Sequence, residues 1–112
     1  MMDKYKKSIR RNLGIARSGQ EPEVAFHFAY MALLKIGIYC LARDGYRAKS
    51  RPGHHQKILE YLGRRLADEQ VLIVGDKMRK DRNLDIYGED AIPSKAEIAE
   101  YLQFVEHLFR KI

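Results

Sequence analysis

The sequence has few of the residues on which several protein classes depend. It contains no tryptophan, three prolines and a single cysteine, Cys40. One cysteine rules out an internal disulfide and a cysteine-built zinc site. The longest apolar stretch, residues 31–41, is interrupted by Lys35, whereas a membrane span needs about 20 apolar residues. The charged N-terminus leads into no signal-peptide core. We therefore expect a cytoplasmic protein with no membrane helix, metal or cofactor.

The composition is that of a folded domain with a basic surface. Apolar residues make up 46% of the chain and charged residues 32%, a balance far from that of disordered proteins. The length predicts one domain, residues 1–112. Lysine and arginine outnumber aspartate and glutamate by 21 to 15, so attraction to phosphates is plausible. The excess is marked between residues 1 and 17.

Apolar periodicity predicts helices in the first half of the chain. Tyr5, Ile9 and Leu13 recur every fourth residue, which gives a first helix with one buried edge. Pro22, between two glutamates, is typical of a helix start. The second helix is predicted to run from there to about Asp44. It is apolar at nearly every position, so we expect it to be the enclosed centre of a bundle.

The second half of the chain is predicted to add three more helices. A basic loop over residues 46–53 precedes a third helix at about residues 54–67, and a fourth helix starts near Asp68. Within it, residues 71–74 would also suit a short strand, although length and flanking polarity favour a helix. Ser94 and Glu97 have the spacing of a capping box and begin the fifth helix. The predicted class is all-α, an up-and-down bundle of four to five helices.

A segment near the end of the fourth helix carries the most specific pattern. Residues 78–87 read Met-Arg-Lys-Asp-Arg-Asn-Leu-Asp-Ile-Tyr. Together with the order of the helices, this segment resembles the HEPN family of small helical-bundle proteins, and Arg82 with Asn83 is the best match. The resemblance covers essentially the whole chain.

The HEPN resemblance implies a fold, a partner and an activity. Members usually form homodimers in which the arginine-bearing segments of two subunits face each other. Many look like ribonuclease toxins, neutralised by a nucleotidyltransferase-like antitoxin. In these ribonucleases an arginine is followed, after four to six residues, by a histidine that acts on the phosphodiester. After Arg82 those places hold Tyr87, Gly88 and Glu89, so the usual general base is missing.

The residues that remain suit phosphate binding better than cleavage. Tyr87 is a poor base because the pKa of tyrosine is about 10, and it would also serve as an aromatic at the edge of the core. Arg79 and Arg82, three residues apart, would form a fork for one phosphate, with Asn83 nearby. In the alternative interpretation both arginines pair with aspartates of the same helix, namely Asp76, Asp81 or Asp85.

The four histidines give no clear substitute for the missing base. His54 and His55 are adjacent and would point about 100° apart on a helix, so at most one can face a given site. Either could replace the base only if the fold brought it beside Arg82, and we expect that it does not. His27 is predicted to be a core or dimer-contact residue and His107 an exposed one.

Three functional hypotheses follow. The first is a homodimeric, HEPN-like component of a toxin–antitoxin-type system that binds RNA or a nucleotide with weak or no catalysis, using Arg79, Arg82, Asn83, His54 and His55. The second is a ribonuclease with Arg82 and Tyr87 as catalytic residues, helped by His54 or His55. The third is a helical adaptor without catalysis.

Overall fold

The computed structural model describes residues 2–18, 21–47, 54–87 and 93–112, without the side chains of residues 2, 3 and 83–87. All regular structure in these ranges is helical, which confirms the all-α class and the helical choice for residues 71–74. The helices are α1 (Met2–Arg17), α2 (Pro22–Arg43), α3 (His54–Arg65), α4 (Glu69–Tyr87) and α5 (Lys95–Arg110).

Helix α2 is the enclosed centre of the bundle, as predicted. Eleven of its residues are buried, among them Tyr30, Leu33 and Ile36, which are fully shielded from water. By length and composition α2 would also be able to cross a membrane. However, 61% of its apolar window is buried against the rest of the protein, so the apolar side chains of α2 are used to form the core of a compact bundle.

Two helix ends have the predicted local geometry. Gly45 has a φ of +88°, a left-handed conformation that glycine adopts at low cost. The amide of Tyr46 donates to the carbonyl of Leu41, and that of Gly45 donates to Ala42, which is the Schellman arrangement at the end of α2. At the start of α5, Ser94 and Glu97 form the reciprocal hydrogen bonds of a capping box.

Helices α2 and α3 run in the same direction, unlike neighbours in a simple up-and-down bundle. Residues 30 and 37 of α2 and its C-cap, Asp44, meet, in that order, residues 55, 58 and 65 of α3. Helix α4 then runs back along α3, since Gly63 packs on Val71 and Leu59 packs on Gly75. This antiparallel pair returns the end of α4 to the start of α3, where the predicted site residues lie.

The sequence predicts the burial of one of the two isolated histidines, His27 and His107, correctly and that of the other wrongly. His107 is exposed on α5, as predicted. His27 is also exposed, and its ring meets the neighbouring Phe28 edge to face. The prediction of a core position for His27 is therefore wrong, because α2 leaves this one edge open to solvent.

The contact between α2 and α3 depends on Gly37, and this can be tested by mutation. A Cβ atom on Gly37 would overlap Cγ2 of the buried Ile58, and overpacking of this kind costs about 1–3 kcal/mol. The gain in helix propensity from glycine to alanine, about 0.5–1 kcal/mol, does not offset it. We expect Gly37→Ala to lower the free energy of unfolding in urea.

Gly14 provides the matched control, because it lies on the exposed side of α1 and a Cβ atom there would meet nothing within 4 Å. Gly14→Ala should raise the free energy of unfolding by about 0.5–1 kcal/mol. Equal stabilisation by both substitutions would contradict the close approach of α2 and α3.

Candidate phosphate-binding site

A buried tyrosine lies at the centre of the candidate site. Tyr30 is fully shielded on α2, and its hydroxyl oxygen lies 3.1 Å from Nδ1 of His55, at the start of α3. The two rings meet edge to face with centroids 5.8 Å apart. A buried phenol requires a hydrogen-bond partner, and His55 provides it.

Arg82 of α4 contacts the same tyrosine from another side. Its guanidinium carbon lies 5.4 Å from the centroid of the Tyr30 ring, within the range of a cation–π contact. Burial raises the pKa of the Tyr30 phenol, while the charges of Arg82 and Arg79 act to lower it. Burial is the larger effect, so Tyr30 stays protonated and does not act as a base.

His55 is held in its neutral form. Burial is the main cause that lowers the pKa of its imidazole, and the positive charges of His54, Arg82 and Arg79 lower it further. The His54 ring lies 4.4 Å from the His55 ring. The fold therefore does bring the start of α3 beside Arg82, contrary to our expectation from the sequence.

The hydrogen bond between Tyr30 and His55 links the direction of donation to the tautomer of the imidazole. The Tyr30 hydroxyl lies within hydrogen-bond distance of His55 Nδ1, and it also accepts a hydrogen bond from Arg82. If the phenol donates its only proton to Nδ1, the proton of the neutral imidazole is on Nε2. Nε2 is then a hydrogen-bond donor, suited to an anion.

Arg79 follows the structural alternative predicted from the sequence. Its Nε and Nη2 atoms lie 3.1 and 2.9 Å from the same oxygen of Asp76. Asp81 does not pair with it but accepts a hydrogen bond of 2.6 Å from Tyr101. Arg79 therefore contributes charge near His55, while Arg82 is the arginine that contacts Tyr30.

Two predicted site residues, Asn83 and Tyr87, have side chains outside the described part of the structure. Their backbone belongs to α4. Among the residues whose side chains are described, no group of three histidine, cysteine or carboxylate side chains is placed to hold a metal ion.

Tyr30 is the site residue that sequence reasoning missed. In the sequence it is one of many large residues in an apolar helix, and its hydroxyl gives the only signal, because a polar group on an enclosed helix needs a partner. Tyr39 on the same helix gives the same signal, and its hydroxyl accepts a hydrogen bond of 3.3 Å from Arg43. The signal therefore does not single out Tyr30.

The protonation of His55 gives a direct test of this geometry. In an NMR titration, we expect the His55 ring to titrate below the ordinary value of 6.5 and to carry its neutral-state proton on Nε2. Arg82→Gln should move the midpoint upward, because it removes a positive charge that disfavours imidazolium. A midpoint at or above 6.5, or a proton on Nδ1, would contradict the arrangement.

No family model, curated protein or solved structure matches the chain. The HEPN resemblance therefore depends on residues 78–87 and the order of the helices.

Proposed function

We propose that this protein binds RNA through a phosphate contact at the site formed by Tyr30, His54, His55, Arg79 and Arg82, with weak or no cleavage. The observation that carries the proposal is the meeting of His55 and Arg82 on one buried tyrosine. They come from different helices and are 27 positions apart in the sequence. A guanidinium beside an N–H donor is an arrangement that suits a phosphate oxygen.

The electrostatics of the cluster favour an anion. Among the described side chains, Asp76 is the carboxylate whose charge acts on Tyr30, against those of Arg82 and Arg79. It also pairs with Arg79 and Lys80. The guanidinium groups of Arg79 and Arg82 carry two positive charges near this one described carboxylate, so they favour an anion even with His55 neutral. A phosphate would add the missing negative charge, and its binding should raise the pKa of His55.

Binding is better supported than cleavage because, among the described side chains, the Asp76 carboxylate is already paired with Arg79 and Lys80 and no other group is placed as a proton acceptor. Cleavage through the 2′-hydroxyl needs one group that accepts a proton and one that donates it. The Tyr30 phenol stays protonated, and if it donates that proton to His55 Nδ1, the imidazole presents its Nε2–H donor to an incoming ligand. His55 would act as a base only after its proton moved to Nδ1, which removes the acceptor of the Tyr30 hydroxyl.

A ribonuclease is the second candidate, and one observation favours it. The lowered pKa of His55 keeps its imidazole neutral near pH 7 beside Arg82, which is the protonation state that a general base needs. In this version His55 takes the place of the histidine that the HEPN ribonucleases carry after their arginine, and Tyr87 assists.

The biological setting in this proposal comes from the HEPN resemblance. It comprises a homodimer, a nucleotidyltransferase-like antitoxin partner and a cytoplasmic location. A dimer would bring the Arg82 residues of two subunits to one cleft.

RNA affinity tests the proposed site. We expect Arg82→Gln to weaken the binding of labelled RNA by about 10- to 150-fold, as for the loss of one charge-assisted hydrogen bond. The affinity of the wild type should fall steeply with salt. Arg11→Gln is the matched control, because it removes the same charge from the exposed surface of α1. Equal effects of the two substitutions would contradict a specific site.

Incubation with mixed RNA separates the two candidates. Binding alone predicts that the wild type leaves the RNA intact. Cleavage by the wild type that is lost in Arg82→Gln and His55→Gln, but kept in Arg11→Gln, would establish the ribonuclease instead. The Tyr87→Phe variant then shows whether that hydroxyl takes part.

A further inference from the structure

A second basic surface lies at the other end of the α2 and α3 pair. It is a groove of about 590 Å³, a size within the range of small-ligand sites. Tyr30 and Leu41 are 11 positions apart on α2, which places this wall of the groove about 16 Å along the helix axis from Tyr30. The groove is lined by Leu41, Tyr46, Arg47, Tyr61, Arg64 and Arg65.

One of the residues that line the groove has an exposed aromatic ring. Tyr46 is 63% exposed, and it follows directly after the glycine that ends α2. Its ring meets the ring of Tyr61 edge to face, with centroids 6.0 Å apart. Tyr61 is in turn anchored, because its hydroxyl donates a hydrogen bond to the Asp44 carboxylate. Tyr46 therefore presents a large aromatic surface to solvent, and the Tyr61 ring against which it packs is held in place by Asp44.

The charges around Tyr46 are positive and partly unpaired. Arg65 donates to Asp44 at 2.7 Å, so the carboxylate next to the groove is already engaged. Arg47 and Arg64 are exposed, and neither forms an ion pair with a carboxylate among the described residues. Two guanidinium groups are thus available beside the aromatic ring.

We infer that this groove binds one unpaired nucleotide, whose base stacks on Tyr46 and whose phosphate is held by Arg47 and Arg64. Aromatic rings combined with a positively charged groove are how proteins hold single-stranded nucleic acid. A duplex does not fit this chemistry, because its bases are stacked on each other and present no free face. The groove is separate from the Tyr30 site, and the inference does not depend on the proposed function.

Competition and mutation test the groove together. The probe is a short labelled oligoadenylate, with the matching duplex RNA, the same sequence in DNA and free AMP as competitors. We expect Tyr46→Ala to weaken oligoadenylate binding by about 5- to 150-fold, as measured for the loss of one stacked base. Tyr46→Trp should retain oligoadenylate binding, and the stacked base should quench the tryptophan fluorescence. The signal reports on this position alone, since the chain has no other tryptophan.

Ile73→Ala is the matched control, since Ile73 is equally exposed but lies on α4, outside the groove. It should leave the affinity unchanged, whereas Arg47→Gln and Arg64→Gln should weaken it. Equal affinities of the Tyr46→Ala and Ile73→Ala variants, or competition by duplex RNA as strong as by single strands, would overturn the inference.

The competitors identify the source of the nucleotide. Displacement by free AMP indicates a mononucleotide site, whereas displacement by strands alone indicates a site for single-stranded RNA or DNA. Arg82→Gln keeps this test separate from the proposed function. If Arg82→Gln abolishes binding and Tyr46→Ala does not, the groove inference fails and the proposed site stands. If Tyr46→Ala abolishes binding and Arg82→Gln does not, the groove inference stands and the proposed site is refuted.

Discussion

The structure depends on the burial of α2. This helix is apolar on nearly every side, and each large side chain that leaves water contributes about 1.5–3 kcal/mol to stability. One neighbouring helix cannot cover such a surface, so α1, α3, α4 and α5 all pack around it. The close approach of α3 at Gly37 is part of this cover. The same constraint explains why a helix apolar enough for a membrane is the core of a bundle here.

The candidate site is a consequence of that burial. Enclosing α2 also encloses the Tyr30 hydroxyl, which must then find a hydrogen-bond partner inside the protein. His55 supplies the partner because α3 begins there, and Arg82 reaches the same ring because α4 runs back along α3. A polar group on the core helix thereby positions an imidazole and a guanidinium at one end of the bundle, while the opposite end carries the groove around Tyr46.

Local features of this fold could be predicted from the sequence, and the relations between helices could not. The capping box at Ser94 and the turn at Gly45 are set by a few neighbouring residues, so their patterns are visible in the chain. The common direction of α2 and α3 could not be predicted in this way, because residues 46–53 between them show no periodicity. For the same reason the sequence does not reveal that His55 and Arg82 meet on Tyr30, although it predicts both as candidate site residues. Tyr30 itself is not predicted as a site residue, because its aromatic ring matches the other apolar side chains of α2.

The central claim is that His55 and Arg82 act as one anion-binding unit, and a double-mutant cycle on RNA affinity measures this most directly. His55→Gln, Arg82→Gln and the double variant are compared with the wild type. If the two side chains hold the same phosphate, their effects will be non-additive, with a coupling of roughly 0.5 kcal/mol or more, as found for residues in contact. Additive effects in an RNA-binding protein would contradict a shared site.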